Sequence, residues 1–312
     1  MTDTPTPNSI SPPRQGFSLR PANALNREGW VTAALFLPPA LLLFTLFVVL
    51  PMGEAAYFSL FKWNGFGTPE DYRGLYNYER LISRDIFKTA LWNNMLVILV
   101  SVFIQLPIAC GLAIILADKI PGGNIFRLLF FLPYVLAEIV AGLIWRFVYD
   151  GDTGFIAKFT EWFDLPAFYI LAEQDYAMYA ILAVIVWKYF GFHMMLFIAG
   201  LQAIDRDLYR AARVDGASAW QVLRFVTLPL LKSTMKLSIF FAVLGSLQLF
   251  DIIMPMTLGG PSDSTQTMVT YLYNHGFIRA KLGFGSAIGT VLFIICVVFA
   301  VVYQKGFFRD AE

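Results

Sequence analysis

Residues 204–233 read IDRDLYRAARVDGASAWQVLRFVTLPLLKS, and this stretch, here named the elbow, decides the fold. It predicts a helix, a turn at Asp215-Gly216, and a second helix that ends near Pro229. Gly216 is free to adopt a positive φ in the turn, and Ser218 is placed to cap the second helix. Connections longer than about 12–15 residues are usually functional or disordered, and this composition is not that of a disordered segment.

Each helix of the elbow has one apolar face with small side chains. The residues on these faces are Leu208, Ala211 and Ala212 in the first helix, and Ala219, Val222, Leu223 and Val226 in the second. Small side chains let a partner close around the backbone, so the elbow is interpreted as a docking surface for another protein. An amphipathic helix in the lipid headgroup layer fits the composition equally well.

The rest of the chain has the composition of a membrane protein. Of its 312 residues, 58% are hydrophobic and 14% are charged, against about 25% charged in a soluble domain. Six apolar stretches are long enough to cross a bilayer. They are named spans one to six and cover residues 31–50, 90–117, 128–148, 177–201, 237–256 and 284–303.

Several functional classes are excluded by what the sequence lacks. The net charge of +1 offers no basic field for nucleic acid. Two cysteines in apolar runs and two distant histidines make neither a zinc site nor a catalytic cluster. No phosphate-binding loop of the G-x-x-x-x-G-K-[ST] type occurs, so we expect no enzyme activity and no cofactor in this chain.

The distribution of Lys and Arg predicts the orientation. An amino terminus inside the cell places most of the basic residues in cytoplasmic segments. Span one is too long, and its leading segment too polar and extended, for a secretory signal. We therefore expect a cytoplasmic tail at 1–30, a six-span domain at 31–303 with a cytoplasmic loop at 202–236, and a cytoplasmic tail at 304–312.

Four ionisable residues lie within the predicted spans: Glu138, Lys188, His193 and Asp251. A charge at membrane depth should face the bundle interior, a cavity or a partner. A functional role is favoured for Glu138, with a pair between Glu138 and Lys188 as the alternative. Lys188 and Asp251 are expected to reach water. His193 is either a ligand contact or a satisfied buried histidine.

The elbow also resembles a known family. Its residues 209–217, YRAARVDGA, followed by Phe225, Leu228 and Pro229, resemble the EAA loop in permease subunits of binding-protein-dependent ABC importers. GLYNY at 74–78, FRLLFFLP at 126–133 and TLGGP at 257–261 agree as well. Together these segments resemble the MalF and UgpA type of sugar permease in the carbohydrate-uptake family. One departure is Arg210, which stands where the family has Glu.

The resemblance implies an all-α membrane protein with six transmembrane helices and the type I ABC importer permease fold, both termini cytoplasmic. It implies a multi-pass location in the bacterial inner membrane. It also implies three protein partners: a second permease subunit, an ATPase dimer that holds ATP and Mg, and a periplasmic solute-binding protein. Membrane lipid is a further expected partner. The implied cargo is a sugar or sugar derivative.

Candidate residues follow from the same resemblance. Those implied for the substrate pathway are Tyr134, Glu138, Tyr189, Phe190, His193, Gly245, Ser246, Gln248, Leu249 and Phe250. Those implied for coupling to the ATPase are Tyr209, Arg210, Ala211, Ala212, Asp215, Gly216 and Ala217. Asn93 and Asn94 are weaker pathway candidates, because asparagine also joins helices in membranes.

Two further expectations concern the outside of the bundle and the alternative function. Tyr271, Tyr273 and Phe277 are expected on a short external helix that the binding protein could contact. An ion-coupled secondary transporter or channel for a small polar solute is the alternative function. Such a protein would not need the long elbow between spans four and five.

Overall fold

The computed structural model describes residues 27–117 and 121–307. The predicted tails and the turn before Pro121 therefore lie largely outside the described residues. The chain divides into two compact units, residues 1–51 and 52–312. Apart from one isolated bridge between Phe61 and Tyr72, the regular secondary structure of the described residues is helical, as the composition predicts.

The helices follow one another with few long connections. In the first unit and across its border the helical segments are Arg27–Phe44, Thr45–Val49 and Leu50–Phe58. The bundle up to span four is built from Tyr76–Ile82, Asp85–Val100, Ser101–Gln105, Leu106–Ala117, Gly123–Val135, Glu138–Val148, Phe155–Trp162 and Gln174–Gln202. The remaining helices are Arg206–Val214, Ala219–Val222, Leu223–Thr227, Leu228–Leu230, Lys232–Leu247, Ile253–Thr257, Met268–Leu272, Tyr273–Ile278 and Leu282–Phe307.

Four of the described helices are long and apolar enough to cross a membrane. They are Trp30–Phe58, Asp85–Ala117, Gln174–Gln202 and Leu282–Gly306. Two bent pairs raise the number to six if each pair counts as one span: Gly123–Val135 with Glu138–Val148, at 96°, and Ala219–Leu230 with Lys232–Leu247, at 63°.

The apolar stretches named spans three and five are not continuous helices. Span three is interrupted at Leu136-Ala137, and span five ends at Leu247 before a separate short helix begins at Ile253. Broken helices at membrane depth are tolerated where other protein groups satisfy the freed backbone. Thr267 does this at the second break, because its hydroxyl donates to the Leu249 carbonyl at 2.9 Å.

Span four is the centre of the second unit, with 14 buried residues along Gln174–Gln202. Gly191 lets it approach span three closely, since a Cβ at this position would collide with the Phe130 carbonyl. Asn93 and Asn94 join distant segments: the Asn93 amide donates to the Gln266 carbonyl at 2.8 Å and the Asn94 amide to the Ser246 carbonyl at 2.7 Å. These bonds favour the helix-joining role for both asparagines.

Candidate functional site

The break in span three places Glu138 at the start of a new helix. Leu136 and Ala137 are extended, with ψ of 142° and 137°, so helical hydrogen bonding stops there. The last carbonyls of the preceding helix lose their intrahelical partners as a result. Glu138 then occupies the first turn of the next helix, where a carboxylate interacts favourably with the helix dipole.

Lys188 of span four satisfies the freed carbonyls. Its ammonium group donates to the carbonyls of Pro133 and Tyr134, each at 2.9 Å, and to that of Leu136. The residue is 1% exposed. The expectation that Lys188 reaches water is therefore wrong, because the break supplies three acceptors that a lysine can meet without leaving the protein. The hydrogen-bond partners of the Lys188 ammonium group within the described residues are these three carbonyls, and the carboxylate of Glu138 is not one of them.

Glu138 is instead bonded to the neighbouring residue on span four. The Tyr189 hydroxyl donates to the Glu138 carboxylate at 2.7 Å. The ring of Tyr189 lies 6.4 Å from that of Tyr134, measured between centroids. One carboxylate oxygen is thus held by tyrosine at the break, and the half-buried side chain leaves the group partly accessible.

An open aromatic surface extends from this pair. The ring of Tyr134 stacks on Phe192 at 4.9 Å between centroids, and Phe192 meets Phe241 at 6.1 Å. Phe241, Gly245 and Gln248 are exposed on one face of Lys232–Leu247 at spacings of four and three residues. The seven residues that form it are here named the pathway surface: Tyr134, Glu138, Tyr189, Phe192, Phe241, Gly245 and Gln248.

Five of these seven residues were expected from the sequence, and two were missed. Phe192 and Phe241 are ordinary apolar residues in apolar helices, and their types carry no signal of their own. The available signal was periodicity. Phe241 lies four residues before Gly245 and seven before Gln248, so all three had to share a helix face.

The other five pathway candidates are buried or pack against neighbouring side chains. His193 is 3% exposed and its Nδ1 lies 2.7 Å from the Ser238 hydroxyl, which is the arrangement of a satisfied buried histidine. Phe190 packs on Phe130, with the centroids 5.8 Å apart. Ser246 and Leu249 are buried, and Phe250 packs on Tyr273 at 5.2 Å.

The elbow has the local structure that its sequence predicts. Asp205 accepts a hydrogen bond from the Asp207 amide at 2.9 Å and so caps the first helix, Arg206–Val214. Gly216 has a φ of +78°, the left-handed conformation that favours glycine. Ser218 and Gln221 form a capping box that begins the second helix. The helix, glycine turn and helix are confirmed.

The elbow exposes several apolar side chains. Val214 is 88% exposed, and Leu208, Trp220 and Phe225 are also exposed. Of the expected coupling residues, Arg210, Ala211, Asp215 and Gly216 are exposed, whereas Tyr209, Ala212 and Ala217 are half-buried. Ala212, on the same side of the helix as Leu208 and Ala211, is the less exposed of the three.

The segment after span five differs in part from expectation. Gly259, with a φ of +88°, lies in the turn that its sequence predicts. Tyr271 is 0% exposed and cannot contact another protein, so this expectation is wrong. Phe277 is exposed and Tyr273 is half-buried. A helix turns three or four successive residues to different sides, and Tyr271 points into the core formed with Phe284.

Comparison with known proteins gives consistent matches. Residues 109–310 match a family described as the binding-protein-dependent transport system inner membrane component. A probable ABC transporter permease protein, YurN of Bacillus subtilis, is 33% identical over 282 residues, covering 89% of this chain and 96% of the relative. The trehalose/maltose transport system permease protein MalF of Thermococcus litoralis is 30% identical over 276 residues, covering 88% of this chain and 93% of the relative.

Solved structures share this fold. A chain in the crystal structure of a bacterial alginate ABC transporter, in complex with an alginate pentasaccharide-bound periplasmic protein, superposes with a TM-score of 0.77. The two sequences are 20% identical, and the match covers 89% of this chain and 94% of the other. At that identity the likeness establishes the fold.

Proposed function

This chain belongs to the family of binding-protein-dependent transport system inner membrane components, and we propose that it is one of two permease subunits in an ATP-driven sugar importer. The observation that carries the proposal is the elbow. Two capped helices around a left-handed glycine present exposed apolar side chains, Val214 above all, which a docked partner would cover.

The energy source lies in a partner under this proposal. The sequence has no phosphate-binding loop, so ATP and Mg would be held by an ATPase dimer that grips the elbow of each permease. Closure of the ATPases would move the elbows as rigid bodies. Helices packed against the elbow would carry the motion to the membrane midplane and open the pathway alternately to each side.

The topology proposed for this role has six spans and two cytoplasmic termini. The bent pair Gly123–Val135 and Glu138–Val148 then forms span three. Span five is formed by Lys232–Leu247 with the segment after it, and the elbow, including Ala219–Leu230, lies on the cytoplasmic side. A periplasmic binding protein would deliver the sugar to the opposite side. The multi-pass chain would be in the inner membrane of a bacterium, with the tails 1–30 and 304–312 and the loop 202–236 in the cytoplasm.

The pathway surface is suited to a carbohydrate. Aromatic rings stack on the apolar faces of pyranoses, and Glu138 and Gln248 can bond to hydroxyl groups. Phe190, His193, Ser246, Leu249 and Phe250 would shape it from behind, because they pack within the helices that carry it.

The charges on this surface favour an uncharged sugar. Glu138 is the one charged residue among the seven. Lys188 is engaged by three carbonyls, and His193 is enclosed beside Ser238. An anionic substrate would therefore meet a carboxylate on this half of the pathway without an available cation, which is unfavourable at low dielectric.

Purification of the full chain from its native membrane tests the assembly. We expect a second permease and an ATPase to elute with it, and the complex in proteoliposomes to take up sugar with its binding protein and ATP. Solute movement by the chain alone, driven by an ion gradient without ATP, would refute the proposal and favour a secondary transporter.

Deletion of the gene in its host tests the charge preference separately. Growth on neutral sugars should be compared with growth on matched uronic acids and sugar phosphates. We expect loss of growth on a neutral sugar, restored by the gene. Loss confined to an anionic sugar would refute the charge preference alone, whereas unchanged growth on every carbohydrate would count against sugar import.

A further inference from the structure

A cavity of about 1630 Å³ lies between the elbow and the adjacent ends of the bundle helices. Its walls come from three spans as well as from the elbow. Ala117 lies at the end of span two, Gly123 at the start of span three and Leu201 at the end of span four. The cavity therefore lies on the side of the bundle where spans two and four end and span three begins.

Arginine dominates the polar lining. Arg206, Arg210 and Arg213 follow one another at spacings of four and three residues along the first elbow helix, so they form one stripe on the wall of the cavity. Arg127, from the first helix of span three, also lines the cavity. Its guanidinium donates from Nε to the Leu116 carbonyl at 3.1 Å, and Nη2 donates to the same oxygen, so the group is held in place.

Little negative charge offsets these four guanidinium groups. Arg210 pairs with Asp207 on the same helix at 2.7 Å. Arg206 and Arg213 have no ion pair within the part of the chain that the structure describes, and Arg127 meets a neutral carbonyl. No carboxylate belongs to the described residues that line the cavity. The site thus has an excess of positive charge.

We infer that this cavity binds the headgroup of an anionic phospholipid. Arginine forms paired hydrogen bonds with phosphate oxygens, and basic pockets between membrane helices on the cytoplasmic side are suited to anionic headgroups. Trp220 also lines the cavity and has the amphipathic ring that favours the membrane interface. The bound lipid would link the elbow to the membrane beneath which it moves.

Short-chain lipids allow a direct binding test on the full chain in micelles. Dioctanoyl phosphatidylglycerol is titrated against dioctanoyl phosphatidylcholine, with the fluorescence of Trp220 as the reporter and Trp220→Phe as the signal control. We expect phosphatidylglycerol to bind and phosphatidylcholine to bind at least about tenfold more weakly. Each basic residue near an anionic surface contributes about fivefold, so Arg206→Gln with Arg213→Gln should weaken binding about 30-fold.

Two matched variants separate charge from folding. Arg224→Gln removes an elbow arginine that does not line the cavity, and it should leave binding unchanged. Arg206→Lys with Arg213→Lys retains the charge and should keep most of the affinity. Equal binding of both lipids, or wild-type affinity in the double glutamine variant, would overturn the inference. So would displacement of phosphatidylglycerol by the purified ATPase partner, since the cavity would then be a protein contact.

Discussion

Replacement of Lys188 by methionine is the sharpest test of how span three is held at its break. Methionine fills a similar volume but cannot donate, so the carbonyls of Pro133, Tyr134 and Leu136 would lose their buried partner. Each unsatisfied buried acceptor costs about 1–3 kcal/mol. The variant no longer has to bury a charged ammonium group, and this gain offsets part of the cost of the three unpaired carbonyls. The free energy of unfolding is therefore expected to fall by about 3–5 kcal/mol.

Unfolding of the full chain in mixed micelles by sodium dodecyl sulfate measures this loss. Lys88→Met is the matched control, because Lys88 is exposed in a surface pair with Asp85 at 2.9 Å and should change stability by less than about 1 kcal/mol. If Lys188→Met unfolds at the same detergent fraction as the wild type, the carbonyls find other donors and Lys188 does not hold the break.

The remaining predictions concern the elbow, the pathway surface and the external segment. Gly216 has a φ of +78°, so Gly216→Val should destabilise the turn by about 1–2 kcal/mol and reduce co-purification of the ATPase. Gly216→Asn, which tolerates this conformation, should retain the ATPase. Equal ATPase yields with the valine variant and the wild type would argue against a role of the turn in docking. Glu138→Gln should keep the hydrogen bond with Tyr189 and leave assembly of the complex unchanged. The KM for sugar uptake should rise about tenfold. An unaltered KM would show that Glu138 does not contact the sugar. Burial, and then the nearby Arg279, lowers the pKa of His275 from 6.5 to about 4. Its contribution to stability is therefore full above about pH 6.5 and is lost as the pH falls towards 4. Between pH 6.5 and pH 4, the unfolding temperature of the wild type should therefore fall more steeply with falling pH than that of His275→Gln. Equal slopes for the two proteins would contradict this prediction.

Much of the elbow was predictable because its signals are local. A left-handed glycine, a Ser cap with Gln221 three residues later and a Pro near the end of the second helix act within a few residues of the chain. The apolar stretches were predictable for a similar reason, since hydropathy over about 20 residues decides whether a segment can enter a bilayer. Neither kind of signal requires knowledge of a distant neighbour.

The candidate site was predictable only in part. Glu138 stands out as a carboxylate inside an apolar stretch, but nothing nearby in the chain identifies Tyr189 as its partner. His193 has a type that suggests function, yet its enclosure beside Ser238 is decided by how spans four and five pack. Phe241 has an unremarkable type and became a site candidate only through its exposure beside Phe192.

Sequence by itself therefore determined that this chain is a helical membrane protein with a helix, glycine turn and helix between spans four and five. The tertiary structure decided where spans three and five break and which polar groups lie on the pathway surface. A helix can stop inside a membrane only where its freed carbonyls find donors. The donor at Leu136 is Lys188, which is 52 residues away along the chain and becomes a neighbour only when the bundle packs.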